Sequence, residues 1–249
     1  MIDLPWPTLV AAAAVVALAY TVYGLTGFGA SIIAIPFLAH IFPLRFAVPM
    51  MLLFDIGAGL LLGLRHRRIA DWCELLRLAP WLLIGMAFGL TLLVQAGERL
   101  LLLLLGGFVL AYASWSLIVR AAVRPASTWW SLPAGLVGGA FTALFGTGGP
   151  IYTIYLARRL PDRNVLRASI SLLILCTGLV RLPMFAGTGL YQQAGLLAMA
   201  LLLMPAAYLG FVLGSRLHAN LPPQRALQAV WALLIVGGIS LLARAYALS

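Results

Sequence analysis

Gly27-Phe28-Gly29-Ala30-Ser31 breaks a long apolar run near the start of the chain, and Gly146-Thr147-Gly148-Gly149-Pro150 breaks another 119 residues later. Further along, Pro80, Gly85 and Gly89 recur at the same internal spacing as Pro205, Gly210 and Gly214, now offset by 125. Growth of the offset from 119 to 125 is what a slightly longer loop in the second half produces. The chain therefore reads as two related halves, 1–124 and 125–249, each opening on an apolar segment interrupted by glycine. In a membrane protein, paired interruptions in corresponding positions point to a transporter whose binding site lies where they meet.

Composition places the chain in lipid. It has 249 residues, of which 63% are hydrophobic and 9% charged. One soluble core of this size cannot bury that much apolar surface. The net charge of +10 does not indicate nucleic acid, because the basic residues fall in short loops between apolar runs and form no stripe. Cys73 and Cys176 are too few and too far apart for a disulfide framework or a zinc site, and are expected to be inert packing residues. No basic region precedes the first apolar run, where Asp3 is the only early charge, so this run reads as a retained segment. His40, His66 and His218 sit in or near separate loops with no ligand spacing. No nucleophile–base pair or paired carboxylates are visible, so neither an enzyme, a metal site nor a cofactor is expected. Gly27-Phe28-Gly29 is not a dinucleotide fingerprint, since no strand–turn–helix unit surrounds it.

The expected fold is an all-α polytopic integral membrane protein of two inverted repeats. Each repeat is a glycine-broken helical hairpin followed by three transmembrane helices. In the first half the broken segment covers about 6–40 and the spans about 44–64, 76–95 and 98–119. In the second half the broken segment covers about 131–158 and the spans about 166–184, 190–215 and 224–245. Four loops are basic: one carries Arg65, Arg67, Arg68 and Arg77, and a second Arg120 and Arg124. The third carries Arg158, Arg159, Arg163 and Arg167, and the fourth Arg216 and Arg225. If each broken segment returns to its starting side, all four fall on one face, which the positive-inside rule makes cytoplasmic. The loops near Arg45, near Glu98 and Arg99, and at Gly187–Tyr191 then lie outside with both termini. If the broken segments instead cross once, the basic loops scatter to both faces. Ile69–Arg77 reads as an interfacial helix start, with Trp72 at headgroup level and Asp71 and Glu74 as solvated charges of the first turn.

Backbone groups freed from a helix inside a bilayer need partners that lipid does not offer. A helix restarting after such a break points free N–H groups and a positive dipole end at the gap, which suits an anion. Pro150 fits the first turn of a restarted helix. The candidate substrate-binding residues are Thr26, Gly27, Gly29 and Ser31 in the first tip, and Gly146, Thr147, Gly148, Gly149 and Tyr152 in the second, with Thr153 as a further hydroxyl. Gly85/Gly89 and Gly210/Gly214 lie in uninterrupted spans and read as close-packing contacts. Asp55 lies within a span on a face shared with Gly59 and Gly63. An intramembrane carboxylate marks function by default, here as a coupling proton site, a cation site or a structural acceptor. Burial disfavours its charged form. Arg181 either pairs with substrate or, being near a helix end, snorkels to the interface.

These residues resemble the TauE/SafE (TSUP) family of sulfite-exporter-like anion permeases. Gly24-Leu-Thr-Gly27-Phe-Gly29-Ala-Ser-Ile-Ile-Ala-Ile-Pro36 and Leu144-Phe-Gly146-Thr-Gly-Gly149-Pro-Ile-Tyr152 resemble its duplicated glycine motif. Arg68-Ile-Ala-Asp-Trp72 with Pro80…Gly85-x-x-x-Gly89, and Pro205…Gly210-x-x-x-Gly214-Ser-Arg216, resemble the blocks that follow. Ala30 stands where the family usually has glycine, and Tyr155 where the second copy has proline. The resemblance implies secondary transport of sulfite, thiosulfate, sulfonates or other small organic anions across a bacterial plasma membrane. The partners it implies are a small anionic substrate and the lipid bilayer. The alternative reading from the residues is a proton- or cation-coupled carrier of another solute, centred on Asp55. The sequence leaves the oligomeric state, the transport direction and the anion open.

Overall fold

The computed structural model describes residues 5–26, 29–63, 68–118, 127–217 and 223–247. Asp3, the tip residues Gly27 and Phe28, the loop residues Arg65, His66, Arg67, Arg120 and Arg124, and His218 lie outside the described residues. Among the described residues every regular element is helical. The first half contains α1 (Trp6–Thr26), α2 (Ala30–Leu38), α3 (Leu44–Gly63), α4 (Trp72–Gln95) and α5 (Glu98–Ile118). The second contains α6 (Ser131–Phe145), α7 (Gly149–Ala157), α8 (Arg163–Gly187), α9 (Leu196–Leu217) and α10 (Pro223–Ala247). Six described helices are long and apolar enough to cross a membrane. Large apolar side chains such as Phe88, Leu201 and Tyr208 point out of the bundle, as a lipid-facing surface requires.

Three helix starts differ from the sequence expectation. α4 starts at Trp72 because the Asp71 carboxylate accepts from the Glu74 N–H and caps it. α8 starts at Arg163 because Asp162 accepts from the Asn164 and Val165 N–H groups. α9 starts at Leu196, later than the apolar run suggests. The preceding residues form a short 3₁₀ turn, and Gln193 anchors it by donating to the Arg45 and Leu190 carbonyls.

Glycine sets the tightest packing. A Cβ added at Gly210 would lie 2.2 Å from the Ala17 carbonyl oxygen, and one at Gly214 would lie 2.0 Å from that of Thr21. The same contact recurs between Gly85 and Leu136 at 2.2 Å and between Gly89 and Ala140 at 2.3 Å. Ala17 and Thr21 precede Leu136 and Ala140 by 119 residues, while the glycines differ by 125. The two offsets seen in the sequence thus describe one helix contact made twice, α1 on α9 and α6 on α4. Residue numbers rise together across each contact, so each pair runs parallel. α3 and α8 run antiparallel, since Gly59 faces Leu175 while Gly178 faces Ile56 and Leu52. α5 and α10 also run antiparallel, since Gly106 faces Leu242 while Gly238 faces Leu110.

The loops sort to two ends. At one end Arg45 donates to the Leu93 and Ala96 carbonyls, Glu98 accepts from the Leu44 N–H, and Gln193 reaches Arg45. At the other end the Asp71 N–H donates to Ser169, and Arg159 reaches Glu74 in the first turn of α4. α6 starts beside that first part of α4, with Gly135 against Leu78 and Trp81. The segment α6–α7 therefore leaves one end of the bundle and returns to it. By the same reasoning α1–α2 leaves and returns at the opposite end, where α9 begins.

The backbone contact at Gly214 carries a measurable cost. Gly214→Ala is expected to destabilise the protein by about 1–3 kcal/mol, as overpacking does. Gly107→Ala, where an added Cβ meets nothing within 4 Å, is expected to change stability by less than about 1 kcal/mol. Unfolding midpoints of the two purified variants in detergent check this, and equal midpoints would contradict the contact.

Candidate functional site

α6 has 15 residues, about 22 Å of helix, and stops short of the roughly 30 Å that a bilayer core demands. Gly146 ends it at φ 68°, and Gly29 precedes α2 at φ 93°. Both lie in the left-handed region where a side chain is strained, so these two turns need glycine. Beyond them α2 and α7 restart with nine residues each. Pro150 lies in the first turn of α7. Neither restart is capped by a side chain, so both present unsatisfied N–H groups and a partial positive charge.

The two tips touch. A Cβ added at Gly146 would lie 2.9 Å from the Ser31 Cβ and Oγ, and 3.3 Å from an Arg181 guanidinium nitrogen. Between the tips lies a cavity of ≈ 20 Å³, space for about one water molecule. Of the residues singled out by sequence, Gly29, Ser31, Asp55, Gly146, Thr147, Gly149, Tyr152 and Arg181 line it. Gly148 is packed behind the cavity wall, where an added Cβ would overlap Thr142 Oγ1 at 1.8 Å. Gly27 and the Thr26 side chain lie outside the described residues. The Thr153 hydroxyl donates back to the Gly149 carbonyl.

Arg181 does not snorkel. It is 2% exposed, and its Nη1 donates to the Thr142 carbonyl at 3.0 Å. Its Nη2 lies 3.9 Å from Asp55 Oδ2. α8 continues past Pro183 to Gly187, which leaves Arg181 well inside the helix. Asp55 is 6% exposed and lies about 16 Å from the start of α3. The Tyr20 hydroxyl donates to its Oδ1 and the Ser31 hydroxyl to its Oδ2, both at 2.8 Å. The Arg181 Nε and the Tyr23 hydroxyl are buried without a hydrogen-bond partner among the described residues. A desolvated guanidinium, two uncapped helix starts and an unpaired hydroxyl each favour negative charge, and the Asp55 carboxylate stands among them.

The sequence reading missed Tyr20, Tyr23 and Thr142. The repeat offset was a usable signal: Tyr23 and Thr142 differ by 119 and both line the cavity. It also misplaced Glu74, which is buried and not a solvated charge. Arg159 donates to Glu74 Oε1 from Nε at 3.0 Å and from Nη2 at 2.6 Å, Arg77 donates to the same oxygen, and Tyr155 donates to Oε2 at 2.7 Å. This cluster ties the end of α7 to the start of α4. Cys73 and Cys176 are exposed free thiols and not packing residues, because their helix faces turn away from the bundle.

The family described as sulfite exporter TauE/SafE matches residues 12–241. The chain belongs to that family. It is similar to the "Probable inner membrane transporter protein TsaS" of Comamonas testosteroni, 28% identical over 194 residues, which cover 77% of this chain and 81% of that protein. No solved structure matches the chain. Membership makes this TauE/SafE protein a membrane transporter.

Removing one partner of a buried ion cluster costs about 3–5 kcal/mol. The arginines beside Glu74 are 33% and 26% exposed, so water compensates part of the loss. Glu74→Gln is therefore expected to destabilise this TauE/SafE protein by about 2 kcal/mol. An unchanged unfolding midpoint would show that the cluster holds nothing.

Proposed function

We propose that this protein is a secondary transporter of small anions such as sulfite, thiosulfate or sulfonates, resident in the bacterial inner membrane. The observation that carries the reading is the buried Arg181 guanidinium facing two uncapped helix starts across one cavity. A cation brought there would meet two positive dipole ends and a guanidinium whose charge the Asp55 carboxylate only offsets, so the anion reading is favoured over a cation site centred on Asp55. An anion gains charge-assisted hydrogen bonds from Arg181 and from backbone N–H groups.

Alternating access at the two tips is the mechanism that this arrangement supports. The antiparallel pairing of α3 with α8 and of α5 with α10 is the relation expected of inverted repeats. The paired segments α1–α2 and α6–α7 would then be hairpins entering from opposite faces and meeting at Ser31 and Gly146. The end that carries Arg68, Arg77, Arg158, Arg159 and Arg163 is the cytoplasmic one under the positive-inside rule. A cavity of ≈ 20 Å³ is too small for a sulfur oxyanion, so substrate enters only as one tip moves from the other.

The test is uptake by purified protein in proteoliposomes against sulfite, thiosulfate, methanesulfonate and acetate. At least one sulfur anion is expected to enter faster than into empty liposomes. Arg181→Gln, which keeps polarity but removes the charge, is expected to reduce that uptake by at least about tenfold, as loss of a charge-assisted hydrogen bond in a dry site does. Wild-type behaviour in the folded variant would move the binding site elsewhere.

A further inference from the structure

The molecule holds two buried carboxylates, and their partners differ in kind. Glu74 accepts from two arginines and a tyrosine. Two of its partners carry a full positive charge. Asp55 accepts from two hydroxyls, Tyr20 and Ser31, and lies 3.9 Å from Arg181, beyond hydrogen-bond reach. A hydroxyl can donate or accept. Tyr20 and Ser31 can therefore solvate Asp55 as a carboxylate, by donating, or as a carboxylic acid, when one of them turns to accept. Asp55 is built to exist in either state, and Glu74 is not.

Resting on the anion-transport reading, we propose that Asp55 is the resident counter-ion of Arg181, that a substrate anion displaces it, and that the displaced carboxylate takes up one proton which crosses with the anion. In the empty site Asp55 and Arg181 neutralise each other. An arriving anion makes the better partner, because it can reach the unpaired Arg181 Nε, the Tyr23 hydroxyl and the free N–H groups of α2 and α7. The site would then hold two negative charges against one positive. A closed, low-dielectric cavity penalises that surplus heavily. Protonation removes it: a proton from water on the open side binds the Asp55 carboxylate to give the acid, and leaves to water on the far side after the anion departs. With a monoanion, loaded and empty sites then both close with no net charge.

The neighbours permit this. The ionisable groups facing Asp55 are Tyr20 and Tyr23 from α1 and Arg181 from α8. Tyr152 of α7, which lines the same cavity, and Tyr191 of the turn before α9 are the further ionisable neighbours of Arg181. α2 contributes Ser31, and α9 turns Tyr208 to an outer groove shared with Tyr20. No second acid shares the cavity among its lining residues, so one proton is the capacity of the site. A monoanion then moves electroneutrally, whereas a dianion such as thiosulfate moves with one net negative charge.

Methanesulfonate tests this, because it is a monoanion at every accessible pH and cannot itself carry the proton. Proteoliposomes with an internal pH dye are given a methanesulfonate or thiosulfate gradient, with the membrane potential clamped by potassium and valinomycin. For the wild type, internal acidification is expected to match anion entry one to one. The potential should leave methanesulfonate entry unchanged and alter thiosulfate entry. Asp55→Asn leaves Arg181 uncompensated whenever the site is empty. Net uptake by this variant is expected to fall by at least about tenfold while exchange of internal for external anion persists and acidification stops. Asp55→Glu, which keeps an acid, is expected to retain coupling. Anion entry without acidification in the wild type, or equal acidification with Asp55→Asn, would overturn the proposal and leave the transport reading standing. Failure of the wild type to move any tested anion would instead overturn the transport reading, and this inference with it.

Discussion

Helices that end inside a bilayer leave N–H and C=O groups that lipid cannot satisfy. Here four helix ends, those of α1 and α6 and the starts of α2 and α7, gather around one small cavity. The rest of the bundle encloses them. α1 lies against α9 and α6 against α4 at backbone contact, which only glycine at positions 85, 89, 210 and 214 allows. α3 and α8 run antiparallel beside the tips and bring Asp55 opposite Arg181.

The same chemistry is used twice with different outcomes. At one end of the bundle, Glu74 is fixed among Arg77, Arg159 and Tyr155, and a permanent ion cluster fastens α7 to α4. At the cavity, Asp55 has hydroxyl partners and a single, more distant guanidinium. The first arrangement resists change and suits a fastening. The second leaves both the carboxylate and the guanidinium free to change partners, as the proposed loading and unloading of an anion requires. Each hairpin is packed against a helix of the other half, α1 against α9 and α6 against α4. Movement of one tip away from the other therefore moves a helix from each half of the sequence.

The helices were legible because an apolar run of about 20 residues in lipid has one regular solution. The glycine interruptions and the double offset marked two related halves, and Gly85/Gly89 and Gly210/Gly214 read as close-packing glycines; their partners Leu136, Ala140, Ala17 and Thr21 are seen only in the structure. Partner identity was harder to read. Glu74 looks like a solvated first-turn charge until Arg159, 85 residues later, is seen to reach it. Arg181 looks like a helix-end residue because Pro183 suggests a stop, yet α8 carries the proline within its last turns. The pairing of Asp55 with Arg181 depends on the antiparallel register of α3 against α8, which local sequence does not encode. Tyr20 was missed because an aromatic residue in an apolar span reads as packing; only its hydroxyl on Asp55 gives it another role.

The central claim is that the cavity between the tips opens alternately to the two sides of the membrane with an anion inside. Thr147 lines that cavity and is 1% exposed. A Thr147→Cys variant, with Cys73 and Cys176 replaced, can be challenged with a membrane-impermeant thiol reagent from either side of oriented vesicles. The account predicts labelling from both sides and slower labelling from both when the transported anion is present. Labelling from one side only, or labelling unaffected by the anion, would contradict it.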